Sequence, residues 1–202
     1  QAEDGIRDRS PSRGLGDVYK RQAQAHLVNT GIGPVYDGIA HLLVSFEDVL
    51  PVIAMALLAG LNGPPAGRQV LLVLPLAWLV GGVAGTLSSA APWPTGPATV
   101  SLLVLGALVA ADFKLSPAAL TVLALAVGLA HGWHNGVAMT VAGLPTAGLL
   151  GTAGAVFVVT ALFAATVVAL RRPWTRIATR VAGSWIGASG LLLLGWTLGS
   201  RA

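Results

Sequence analysis

Cysteine is absent from all 202 residues, so disulfides and thiolate-held metals are excluded. Charge is scarce as well. Only 10% of residues are charged, against roughly a quarter in an average soluble domain. With 54% apolar residues and a mean hydropathy of +0.75, the expected solvent is a lipid bilayer. Acids are the scarcer sign, eight against twelve Lys and Arg, and this deficit sets the basic pI of about 10.4. No basic face interleaved with aromatics accompanies it, so nucleic acid is not an expected partner. No P-loop occurs, so the chain is not expected to power transport with ATP by itself.

What charge there is concentrates at the start. Residues 1–22, QAEDGIRDRSPSRGLGDVYKRQ, hold nine of the charged residues and show no apolar periodicity. They lack the apolar core of a signal peptide. The stretch resembles translated adapter read-through, and it is expected to be a non-native leader, with the protein proper starting near Ala23 and the native N-terminus missing. Residues 23–45 are then an outer-side lead-in, and 46–202 a transmembrane helical domain.

A membrane-spanning helix needs about 20 mostly apolar residues. Six segments qualify: 46–62, 69–89, 97–112, 117–140, 147–170 and 178–199. The expectation is therefore an all-α, polytopic integral membrane bundle of six helices, with seven as the alternative. Between Arg68 and Asp112 there is no charge, and between Lys114 and Arg171 only histidines are ionisable. Turns at Asn62–Arg68 and Ala91–Pro97, Ser116-Pro117, Pro145 and Pro173 divide the segments. Ser116 is expected as a helix cap, with Pro117 at the first helical position. The loops after the first, third and fifth segments carry Arg68, then Lys114, then Arg171, Arg172, Arg176 and Arg180. The positive-inside rule places them in the cytoplasm and the N-terminus outside a cell (inner) membrane. Trp93 and Trp174 then fall at opposite interfaces.

Against this apolar background the histidines stand out. One cluster is Asp37, His41, Glu47 and Asp48; the other is His131 and His134, beside Asn135. Ionisable groups are costly in hydrocarbon, and those that persist there usually have work to do. Imidazole with carboxylate is ligand chemistry for nickel, cobalt or zinc. On a continuous helix His41 and Asp48, two turns apart, share a face. His131 and His134 lie about 21–26 Å along a helix that starts inside at Pro117, so both clusters reach a similar outer depth. Ser45-x-x-Asp48 also reads as a capping box, which accounts for Ser45 and one acid. Asp37 lies after a glycine-rich turn and needs no role beyond that turn. Gly128, Gly132 and Gly136 form a small-residue stripe that allows close approach to the first span, or is generic helix packing.

Gly38-Ile-Ala-His41, five residues, then Glu47-Asp48, followed by an apolar helix and Leu-Pro-Leu-Ala-Trp, resembles the HupE/UreJ family. His131-Gly132 and Gly136 are similar to its second, His-Gly-rich motif. The resemblance covers most of 38–200. It implies supply of nickel or cobalt to hydrogenase and urease maturation, with His41 at the family's first histidine, Glu47 at its aspartate, and Asp48 where a second histidine stands. A permease for such an ion, held by His41, Asp48, His131, His134, Glu47 and Asp37 between the first and fourth spans, is the leading reading. It requires no cofactor beyond the transported ion, nickel or cobalt with zinc as a further candidate, and metalloenzyme maturation proteins are the expected partners. Two alternatives stand beside it. One is an intramembrane hydrolase, either zinc-dependent or built on Ser189 in Gly187-Ala-Ser-Gly190. The other is a non-transporting accessory subunit.

Overall fold

A computed structural model describes residues 30–89, 96–141, 146–170 and 172–199. The expected leader 1–22, Trp93, Pro145 and Arg171 lie outside these residues. The described residues form seven α-helices: α1 (Pro34–Val44), α2 (Phe46–Leu61), α3 (Pro64–Thr86), α4 (Gly96–Ala110), α5 (Pro117–Val141), α6 (Gly148–Ala169) and α7 (Pro173–Gly199). No strand occurs among them.

Each of the six apolar segments coincides with one of α2–α7. By length and composition, four helices (α3, α5, α6 and α7) are fit to cross a membrane. The pair α1–α2 makes a fifth if its two arms are one broken span, while α4 falls short by itself at 15 residues. The chain is thus a multi-pass helical membrane protein, with four to five evident spans among the described residues.

α1 changes one expectation. His41 and Asp48 do not lie on one continuous helix, because Ser45 is extended (φ −83°, ψ 94°) and the two arms meet at a bend of 77°. Ser45 makes no side-chain cap, so the capping box is not formed. Instead the backbone closes the start of α2, with Asp48 N–H donating to the Ser45 carbonyl at 3.0 Å. Glu47 and Asp48 still occupy the first turn, where the helix dipole favours negative charge. At the other expected cap the reading holds, with Ala119 N–H donating to Ser116 Oγ at 3.2 Å.

α2 is the axis of the bundle. It packs against every other described helix, and Val52, Ala54, Met55, Ala56, Leu58 and Ala59 are fully buried. An all-round apolar helix has no polar face to turn outward, so it goes to the centre. Around it the other helices pair through glycines. A Cβ on Gly132 or Gly136 would collide with the carbonyl oxygen of Trp78 or Gly82 on α3, and one on Gly85 with that of Trp133 on α5. The Gly128–Gly136 stripe therefore serves α3, not the first span. Gly106 of α4 and Gly183 of α7 form a second close seam, and Gly38 of α1 lies on the backbone of Gly148 in α6.

The basic residues gather at one end. Asp112, in the left-handed region at φ 53°, closes α4, with Phe113 N–H reaching back to the Leu108 carbonyl at 2.9 Å. Its carboxylate pairs with Arg176 of α7 and lies 3.5 Å from Lys114. Lys114 also donates to the Leu61 carbonyl at the end of α2, and Arg180 Nε donates to the Ala110 carbonyl at 2.8 Å. Asn62 stitches the same end, accepting from Leu115 N–H at 3.0 Å. Burial opposes the charge on Asp112, yet Arg176 and Lys114 outweigh it and hold the carboxyl below the usual carboxylate range.

Candidate functional site

The end of α2 away from this basic cluster carries Asp48, which is 6% exposed. Both of its oxygens are engaged. Oδ1 lies 2.9 Å from His131 Nδ1 on α5, and Oδ2 accepts from Asn135 Nδ2 at 3.0 Å. His41, at the end of α1, brings Nε2 to 3.9 Å from Oδ2. That is an electrostatic approach and too long for a hydrogen bond. The bend at Ser45 thus achieves by folding back what a straight helix was expected to do by sharing a face.

His131 is held on three sides. A carboxylate only accepts, so His131 Nδ1 carries the hydrogen it donates to Asp48. In the neutral ring the other nitrogen, Nε2, then accepts from the Ser101 hydroxyl of α4 at 3.0 Å. The fully buried Trp78 of α3 stacks on the ring, with centroids 5.6 Å apart and planes at 21°. Asn135, one turn beyond His131, also donates to the His131 carbonyl at 3.0 Å. With both amide hydrogens spent on acceptors, its Oδ1 is left buried without a partner.

Of the six residues singled out from the sequence, three meet here: His41, Asp48 and His131. His134 is half-buried one residue before Asn135, and its Nδ1 has no hydrogen-bond partner. Glu47 is exposed. Asp37 is occupied locally, accepting from both the amide and the hydroxyl of Thr30 at 2.6 Å. Ser101 is an addition that the sequence did not flag, and Trp78, which ends the Leu-Pro-Leu-Ala-Trp run of the resemblance, gains a place beside the His131 ring that the run did not suggest. Among the described residues, no group of three or more His, Asp or Glu is already arranged to hold a metal ion. Asp48 and His131 instead satisfy one another.

A model of the HupE / UreJ protein family matches residues 17–193. The chain belongs to the HupE/UreJ family. No curated protein and no solved structure gives a significant match. HupE/UreJ is a transporter-type family associated with nickel and cobalt, and the buried acid–imidazole pair is donor chemistry for such ions.

The order Ser101 Oγ, His131 Nε2, His131 Nδ1, Asp48 Oδ1 is also that of a serine-hydrolase relay. In this HupE/UreJ chain, however, Ser101 lies inside α4, where backbone N–H groups are committed to the helix ladder. The Ser101 amide is therefore not free to serve as an oxyanion donor, the largest electrostatic element of acyl transfer. Ser189 returns its hydroxyl to the Trp185 carbonyl of its own helix at 3.1 Å. Gly190 beside it packs against Leu102 and Leu103 of α4.

Proposed function

We propose that this protein is a permease for a divalent transition-metal ion, nickel or cobalt, with zinc within the same donor chemistry. The observation that carries the reading is the buried Asp48 carboxylate, shared between His131 and Asn135 of α5 and approached by His41 of α1. Nitrogen and oxygen donors from three helices converge there. The site uses imidazole and carboxylate in a bundle that is otherwise apolar, which is where intramembrane ionisable groups act on ions. The ion enters from the outer face between α2 and α5. It leaves toward the end marked by Lys114, Arg176 and Arg180, which the positive-inside rule assigns to the cytoplasm. In this reading the chain crosses the inner membrane six times, with its N-terminus outside, and passes its ion to metalloenzyme maturation proteins. His134 and Glu47 line the approach, while Asp37 caps the outer lead-in.

The test is uptake of radioactive nickel or cobalt by cells expressing the full chain, beside His41→Ala and His131→Ala. Loss of a ligand or of its supporting carboxylate typically costs 10–100-fold in affinity, so uptake at sub-saturating metal should drop by about that factor. Equal uptake by all three proteins ends the reading.

A further inference from the structure

The Ser101–His131 hydrogen bond crosses the seam between two interlocked helix pairs. α5, which carries His131, is fixed to α3: its glycines at 128, 132 and 136 sit on the backbone and Cβ atoms of Leu74, Ala77, Trp78 and Gly82. Neither helix can slide without backbone meeting backbone. α4, which carries Ser101, is fixed instead to α7 through Gly106, Gly183 and Gly190. Relative motion is therefore cheapest between the pairs, along the line where Ser101 meets the imidazole. The same bond decides access to the donor. Nδ1 of His131 is committed to Asp48, so Nε2 is the only ring nitrogen left for a cation, and the Ser101 hydroxyl covers it at 3.0 Å.

We infer that Ser101 is a latch: a positioning residue that masks His131 Nε2 when the site is empty and must be displaced for the cargo ion to bind. This rests on the permease reading of the same site. The ion then takes the place of the hydroxyl, α4 with α7 yields away from α3 with α5, and closure of the latch after release restores the masked state. Asp48 acts in this scheme by donating charge to the imidazole and fixing its tautomer, as carboxylates behind metal-bound histidines do.

The sign of the prediction follows from linkage. A hydrogen bond present only in the empty state opposes binding, so removing it should tighten binding. Nickel chloride is titrated calorimetrically into the full chain purified in detergent, comparing wild type, Ser101→Ala, Ser101→Thr and His131→Ala. Ser101→Ala should bind nickel about 2- to 10-fold more tightly, the factor set by one net hydrogen bond. Ser101→Thr, which keeps the hydroxyl, should behave as wild type. In transport, Ser101→Ala should show a lower KM together with a lower maximal rate, since release loses the group that re-covers the nitrogen. Melting curves without nickel establish that each variant is folded. Unchanged or weaker binding in folded Ser101→Ala, beside the loss of binding in His131→Ala, removes the latch and leaves the permease site standing. Undiminished binding in folded His131→Ala overturns both.

Discussion

Replacing Asp48 by asparagine separates holding the helices together from preparing an imidazole for a cation. In the native protein the two carboxylate oxygens take one hydrogen each from His131 and Asn135, at 2.9 and 3.0 Å. In Asp48→Asn the amide oxygen keeps the Asn135 hydrogen, while the amide nitrogen faces His131 Nδ1. The ring accommodates this by carrying its hydrogen on Nε2 and accepting at Nδ1, and Ser101 turns to accept in its place. His131, Asn135 and Ser101 each keep a partner, and the new amide brings a second hydrogen that needs an acceptor of its own. The loss is the difference between charge-assisted and neutral hydrogen bonds, about 1–3 kcal/mol for the two. At about 2–4 °C per kcal/mol for a domain of this size, melting should fall by about 2–12 °C. Nε2, however, no longer has a lone pair, and nickel affinity should fall about 10–100-fold. Asp48→Ala differs in kind, because it orphans two buried donors at about 1–3 kcal/mol each and so costs about 2–6 kcal/mol. Thermal melting and calorimetric nickel titration of both variants in detergent are the assays. A folded Asp48→Asn that binds nickel as wild type does would refute the assignment of tautomer control to this carboxylate.

Three further outcomes are expected. Gly132→Ala places a methyl against the Trp78 backbone carbonyl, which cannot swing aside. It should cost about 1–3 kcal/mol in a melting experiment, whereas Gly154→Ala, with open space around it, should be neutral. Asp112→Asn removes a half-exposed ion pair with Arg176, and should lower stability by about 0.2–1 kcal/mol in low salt and less in high salt. Because the folded-state carboxyl titrates below its ordinary value, that contribution is complete at neutral pH. It fades as pH falls through the carboxylate range, which a pH series of melting curves will show. His134→Ala, which removes no hydrogen bond to Asp48 or His131, should reduce metal uptake less than His131→Ala does.

The helices were legible because long apolar runs broken by Gly, Pro and Arg leave the chain few alternatives in lipid. α1 was not, since Pro34–Val44 mixes Tyr, Asp and His with apolar residues and is too short to read as a span. Its sharp meeting with α2 was hidden by Ser45, whose spacing to Asp48 mimics a capping signal that the backbone does not use. Asp48, His41 and His131 could be found from sequence alone because an ionisable group in an apolar run is conspicuous. Ser101 could not, since serine is ordinary in membrane helices, and Trp78 was visible only as the end of Leu-Pro-Leu-Ala-Trp; the fold alone shows the two flanking one ring. Of the two uses expected for the glycine stripe, approach to the first span or generic helix packing, the structure shows packing against α3. Periodicity reveals which face of a helix is small, and carries no information about which helix fills it.

The central position of α2 has a consequence for how the chain is made. Asp48 emerges from the ribosome early, yet the groups that satisfy it, His131 and Asn135, follow 83 and 87 residues later. Until α5 is synthesised, a carboxylate faces either lipid or the insertion machinery, and the first is costly. Nascent chains halted before α5 should therefore stay bound to the translocon, and release into the bilayer should coincide with delivery of the histidine.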